Sequence, residues 1–155
     1  MYRIATWNVN SLRARLEHLK LWLATADIEI LALQETKVQD YEFPASALAE
    51  LGYTTYFCGQ KSYNGVALAS RSEGTVIANE IPHLGDSQMR VLAMQFGAIC
   101  VVNLYVPNGG EVGSEKYEYK LRWLDALIPW LRYLHKKYQN LVVLGDFNIT
   151  PTDFD

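Results

Sequence analysis

LVVLGDFNIT, residues 141–150, is the stretch on which the reading of this chain turns. Its first four residues are apolar and read as a strand buried on both faces. Gly145 lets the backbone pass close to a neighbour. Asp146 and Asn148 follow at a spacing of two. In an extended backbone both side chains face one way and converge on one point, while Phe147 turns back into the core. Ligands of open α/β sheets bind at the carboxyl ends of strands, and a cation such as Mg²⁺ takes oxygen donors of this kind. An Asp and an Asn also suit a plain turn. The recurrence of polar strand ends upstream favours a site.

The first recurrence is at the start of the chain. Residues 2–7 read as a strand ending in NVNS, with Asn8 and Asn10 again two apart. Ser11 suits a helix cap, and Leu12, Leu16, Leu19 and Leu23 recur at helical spacing. A second strand over 27–34 ends at Glu35, so the opening is β-α-β. A right-handed crossover between parallel strands puts Asn8 and Glu35 on one edge of the sheet.

Further along, 43–51 reads as a short helix begun by Pro44 and closed by Gly52. Strands are expected over 53–58, 66–70, 75–81, 90–96 and 99–105, with Gly97-Ala98 as a tight hairpin. A long helix spans 114–138. Its apolar face is drawn through Leu121, Leu124, Leu127, Ile128, Leu131 and Leu134, and Pro129 is expected to bend it. The order is α/β, a mixed β-sheet with packed helices. The chain stops at TPTDFD with no closing element; strands that read as buried then need helices on both sides, or another layer is missing.

Composition narrows the function classes. The chain has 155 residues, half apolar and a fifth charged, which suits one globular domain. Its net charge of −3 argues mildly against gripping nucleic acid by charge alone, although a local basic patch or a metal ion can offset phosphate charge. Cys58 and Cys100 read as buried free thiols, which suits a reducing cytoplasm. Neither a leader-like apolar run nor a membrane span is seen.

Asn8, Glu35, Asp146 and Asn148 together offer the hard oxygens that Mg²⁺ prefers, with room left for water and a phosphate. Such an ion polarises phosphoryl oxygens and orients water, and Asp146 can hold or deprotonate that water. Taken singly, Asn8 can be a turn residue and Glu35 a surface partner of Lys37. Tyr105, at the end of its strand, can donate to a phosphate oxygen or simply pack with its hydroxyl at the rim. Asn108 can face the phosphate or make the turn. Asn64-Gly65 reads as a turn, and Lys116, Lys120 and Arg122, beside Tyr117 and Tyr119, as a basic stretch that can meet a nucleic-acid backbone but suits a solvated helix face better. His18, His83 and His135 all lie away from the strand ends, so no histidine base is evident.

WNVNSLRAR, LQETKVQD, YNGVALASR, NLYVPNGG, SEKYEYKLRWL and LGDFNITPTD occur in that order. Their order and spacing resemble those of bacterial exonuclease III-type apurinic/apyrimidinic endonucleases, of the endonuclease/exonuclease/phosphatase superfamily. GDFN alone points to the superfamily; NVNSLR, YNGVA and SEKYEYKLRWL point to its DNA-repair branch. The resemblance implies a Mg²⁺-dependent phosphodiesterase of base-excision repair, with Mn²⁺ as an alternative ion. Such enzymes cut double-stranded DNA 5′ to abasic sites and trim 3′ ends, in the cytoplasm at the nucleoid. It matches Asn8 and Glu35 to metal binding and Tyr105 and Asn108 to phosphate contacts. Asp146 matches the aspartate that activates the nucleophile and touches metal, and Asn148 the asparagine that steadies the transition state.

Family members are longer. The resemblance therefore makes residues 1–155 the amino-terminal half of one domain, half of a four-layer α/β sandwich. The other half would supply a second sheet, a tryptophan, a further aspartate and a closing Ser-Asp-His. Such a chain is expected to be weakly active or inactive alone and to self-associate through an uncovered sheet face. The alternatives are a sister-family phosphoesterase acting on a lipid or inositol phosphate, and a non-catalytic remnant that binds DNA or a partner.

Overall fold

The computed structural model describes residues 2–150 and 152. Of the ending noted above, Pro151 and residues 153–155 lie outside the described residues, as does Met1.

Two βαβ units frame the fold. In the first, β1 (Ile4–Asn8) leads through α1 (Leu12–Leu23) to β2 (Ile30–Gln34), and β1 and β2 are parallel neighbours. In the second, β7 (Ile99–Tyr105) leads through α3 (Glu115–Lys137) to β8 (Asn140–Asp146), again parallel. Between them lie α2 (Ala45–Ala49), β3 (Thr54–Cys58), β4 (Val66–Ser70), β5 (Thr75–Ala78) and β6 (Val91–Phe96). The strands form two four-stranded mixed sheets, in the orders β1-β2-β4-β3 and β5-β6-β7-β8.

The pleat explains how the sheets stack, because successive side chains leave a strand on opposite faces. Ile30 and Ala32 of β2 meet Leu92, Met94 and Val101 of the other sheet in a core between the sheets. Leu31 and Leu33 point outward onto Leu12, Leu19 and Leu23 of α1 and Leu48 of α2. Cys100, Val102 and Leu104 point outward onto Trp123, Leu127, Trp130 and Leu134 of α3. The layers are therefore helices, sheet, sheet, helix.

The expected α/β class with mixed sheets and packed helices holds. The expectation that the second sheet lies outside this chain does not, since strands of both sheets are present and their inner faces cover each other. What stays open is an edge. Among the described residues β1 and β8 each pair on one side only, and they lie against each other across the sandwich. For that reason β8 is half-buried, where a strand buried on both faces was expected.

Other departures have local causes. The first helix begins after Ser11, but the Ser11 side chain caps nothing. Instead the Ser11 and Leu12 amides donate to the carbonyls of Glu35 and Thr36, at 2.8 and 3.0 Å. The second strand starts three residues late, and Asp27 pairs with Arg3. The short helix shrinks to α2 behind a 3₁₀ turn at Asp40–Glu42, with Pro44 at its cap. The fifth strand ends at Ala78, after a bulge. The long helix continues through Pro129, but its buried face runs through Lys120, Trp123, Leu127, Trp130 and Leu134. Leu121 and Ile128 are exposed, because two indoles bury more area than the leucines beside them. Asn64 sits in its turn at φ +49°, and Phe96 pairs with Ile99 across the expected hairpin. Both cysteines are buried and free, and burial pushes each thiol up to about 11.

Candidate functional site

The inner faces of the strands change character along their length. In β2, Ile30 and Ala32 give way to Gln34; in β7, Val101 gives way to Asn103 and Tyr105; in β8, Leu144 gives way to Asp146. Asn8 ends β1 with the same parity. All these ends lie at the carboxyl edge of the two parallel pairs, Asn8 beside Gln34 in one sheet and Tyr105 beside Asp146 in the other. The sandwich is thus apolar along its middle and polar at one end.

One amide joins the two sheets there. Asn8 Nδ2 donates to Glu35 Oε1 at 2.8 Å and to Asp146 Oδ2 at 2.7 Å. Two carboxylates from different sheets therefore stand within reach of one side chain. Lys37 Nζ lies 2.9 Å from Glu35 Oε2 and also donates to Asn10 Oδ1. Burial pushes the Glu35 carboxyl up, but hydrogen bonds from Asn8, Lys37 and Tyr105 outweigh it and hold the group below its ordinary value. The Tyr105 phenol moves the other way: burial, then the hydrogen bond to Glu35, push it up to about 12. At neutral pH the phenol keeps its proton and is a donor.

The GDFN turn departs from the extended geometry expected of it. The strand ends at Asp146, and Asn148 adopts φ +48°. Its amide N–H donates to Asp146 Oδ1 at 2.9 Å, and its Nδ2 donates to the Val106 carbonyl at 2.8 Å. Asn148 therefore meets Asp146 through its backbone, not as a parallel side chain. Phe147 does not return to the core but is exposed. Asn108 is exposed; its Oδ1 accepts from Gly110 N, and it lines one hollow with Asp146 and Asn148. Glu35 and Lys37 also have positive φ, at +52° and +54°. Such backbone clusters where a structure holds functional groups in place.

Two cations were not foreseen here. Lys120 is buried, and its ammonium donates to the Phe147 and Asn148 carbonyls. Desolvation holds its pKa down, with Asp146 opposing. It is no part of a solvated face, unlike the exposed Lys116 and Arg122. The available signal was its phase on the helix, three residues before Trp123. Arg90 lies 4.6 Å above the Tyr105 ring and donates to the Tyr105 carbonyl at 3.2 Å. Nothing in the sequence pattern marked it. His18, His83 and His135 are all exposed.

The chain belongs to the Endonuclease/Exonuclease/phosphatase family, whose profile matches residues 5–155. Within it, the chain is similar to exodeoxyribonuclease III of Haemophilus influenzae, 34% identical over 99% of this chain and 60% of the relative. It superposes on a 3′ phosphatase from Neisseria bound to a product DNA hairpin, with a TM-score of 0.96 and 42% identity over 100% of this chain and 61% of the other. An AP endonuclease from Archaeoglobus fulgidus gives a TM-score of 0.90 at 39% identity, over 100% of this chain and 60% of the other. The chain spans about 60% of the length of these relatives. No helix among the described residues is long and apolar enough to cross a membrane.

Proposed function

We propose that this chain forms one wall of the active site of a Mg²⁺-dependent DNA phosphodiesterase, an abasic-site endonuclease and 3′–5′ exonuclease of base-excision repair. On this reading residues 1–155 correspond to the amino-terminal half of the domain and work in the cytoplasm, at nucleoid DNA. The observation that carries the reading is the Asn8 amide held between Glu35 and Asp146. Two carboxylates so close repel a phosphate unless a cation offsets them. No group of three or more His, Cys, Asp or Glu side chains with metal-holding geometry occurs among the described residues, and the acidic groups that meet at Asn8 offer oxygen, not sulfur or imidazole. Two carboxylates with neutral amides do fit a hard ion that keeps several waters. Glu35 and Asp146 would hold Mg²⁺, or Mn²⁺ in its place, through their carboxylate oxygens; Asn8 would join them through its Oδ1, which here accepts from Asn10 N, with Asn148 beside Asp146. When bound, the ion supplies charge neutralisation at the phosphoryl oxygens.

The chain's own groups divide the remaining work. The Asp146 carboxylate accepts a proton from the attacking water. The protonated Tyr105 phenol donates to a phosphate oxygen, and Asn108 and Asn148 add polar contacts along the same hollow. Lys120 holds the Phe147 and Asn148 carbonyls and so ties the loop to α3. Lys37 balances the charge on Glu35. The DNA substrate is supported by the exodeoxyribonuclease III and the AP endonuclease among the relatives and by the DNA-bound neighbour.

The test is incision of a duplex carrying one abasic analogue, with Mg²⁺ and with EDTA. We expect weak incision, because the resemblance places the Ser-Asp-His in the other half of such a domain. Incision that needs Mg²⁺ and disappears in Asp146→Asn supports the reading. DNA binding with no incision under any divalent ion favours a non-catalytic binding protein, and hydrolysis of a lipid or inositol phosphate alone favours a sister phosphoesterase. We further propose self-association, through the open β1/β8 edge rather than a sheet face.

A further inference from the structure

Behind the candidate site, at full burial, lie two amides that the chemistry above does not use. Gln34 is 1% exposed and Asn103 0%. Gln34 Nε2 donates to Asn103 Oδ1 at 2.7 Å and to Thr6 Oγ1 at 2.9 Å. Asn103 Nδ2 donates to the carbonyls of Leu33 and Ala67, both at 2.9 Å. Both hydrogens of each amide are therefore used. Turning the Asn103 amide over would set its oxygen against two carbonyls, so the network itself fixes its orientation. One side chain of β7 thus reaches β2 and β4 of the facing sheet, and through Gln34 it reaches β1.

Around them the inner core is mostly apolar, with Ile30, Ala32, Leu68, Leu92, Met94 and Val101 among its members and the small Ser70 hydroxyl buried at one end of β4. Apolar contact is non-directional and tolerates sliding. Buried amides do not, because a donor pulled off its acceptor is left desolvated and unpaired. Gln34 immediately precedes Glu35, and it is the register partner of Asn8. Asn103 lies two residues before Tyr105, the register partner of Asp146. A slip of one residue between the sheets moves these groups by about 3.3 Å, more than the length of either Asn8 bond.

We propose that Gln34 and Asn103 are positioning residues: they lock the two sheets in the one register in which Asn8 bridges Glu35 and Asp146. Neither touches the reacting groups. The consequence for metal binding rests on the function proposed above; the consequence for Asn8 does not.

Three measurements test this. In the wild-type chain, the Asn103 side-chain N–H₂ is expected to be strongly protected from hydrogen exchange; free exchange overturns the proposal without any variant. In Asn103→Leu, a near-isosteric change, the Asn8 side-chain amide resonances are expected to shift, and Mn²⁺ affinity read by electron paramagnetic resonance to fall about 10–100-fold. Gln34→Met is read the same way and carries the test if Asn103→Leu does not fold. Leu134→Ala, a cavity on the far side of the second sheet, is the control for lost stability and is expected to leave both readouts in place. Unchanged Asn8 resonances in the folded variants, or equal shifts in Leu134→Ala, overturn the proposal. A wild-type chain that binds no Mn²⁺ counts against the proposed function alone, since the Asn8 signal still decides the positioning claim.

Discussion

Gly145→Ala is the sharpest perturbation that the structure offers. Gly145 has φ +138°, and a Cβ built there would stand 1.9 Å from the Leu104 carbonyl oxygen and 2.8 Å from the Leu104 nitrogen and carbonyl carbon. These atoms are backbone of the paired strand and cannot swing away. Non-bonded carbon and oxygen settle no closer than about 3.3 Å, so β7 and β8 have to part by about 1.4 Å at this point. The parting strains the ladder at Leu104–Gly145 and at Tyr105–Asp146. Two lost ladder bonds cost about 2 kcal/mol together, and a side chain in this backbone region adds about 1–3 kcal/mol, for roughly 3–5 kcal/mol. A chain of this size loses about 2–4 °C per kcal/mol, which gives a fall in Tm of roughly 6–20 °C. Because Asp146 moves with the strand, its 2.7 Å bond from Asn8 is lost as well. Thermal unfolding by circular dichroism measures the first effect and the Asn8 side-chain amide signal the second. A variant within about 2 °C of wild type with an unmoved Asn8 signal would refute both the close approach and the register.

Glu35→Gln tests the charge of the site through pH. Glu35 is held below its ordinary carboxylate value, so its contribution to stability is complete above about pH 4.5 and is lost as pH falls through its folded value. The Tm gap between wild type and Glu35→Gln is therefore expected to narrow on acidification, and a gap independent of pH sinks the assignment. Lys120→Met keeps the stem packed against Gly109 but removes both loop hydrogen bonds; faster hydrogen exchange at Asn148 with little change in Tm is expected, and unchanged exchange counts against the role given to Lys120. For self-association, the apolar hollow at Trp7 and Trp22 beside the open edge predicts a concentration-dependent dimer in analytical ultracentrifugation. Trp7→Lys is expected to weaken it, and a strict monomer at high concentration argues against that use of the edge.

Much of the fold was legible because its signals are local. The strands at 66–70 and 99–105 were read to the residue, since each is a short apolar run between turn residues. The first βαβ unit was legible from leucine spacing. Misreadings arose where a distant contact overrode a local preference. Ser11 suits a cap by type, but with its amide and that of Leu12 tied to the Glu35 and Thr36 carbonyls it sits at φ +88°, outside the usual cap conformation, and its side chain caps nothing. Of the leucine face suggested for α3, Leu127 and Leu134 are buried and Leu124 and Leu131 pack beside them, but the two buried indoles turn the helix so that Leu121 and Ile128 are exposed. Asp146 and Asn148 would be parallel in an extended chain, yet the Val106 carbonyl and Lys120 draw the turn out of that geometry.

Sequence alone determined which residue types stand at the strand ends, because alternation and turn chemistry are properties of neighbours along the chain. It also carried the family likeness. Only the tertiary structure decided that two sheets face each other, that Asn8 lies between carboxylates from both, and that Lys120, Gln34 and Asn103 are buried in support. Those facts depend on which strand lies across from which, and residues 138 positions apart, such as Asn8 and Asp146, carry no local signal of their meeting.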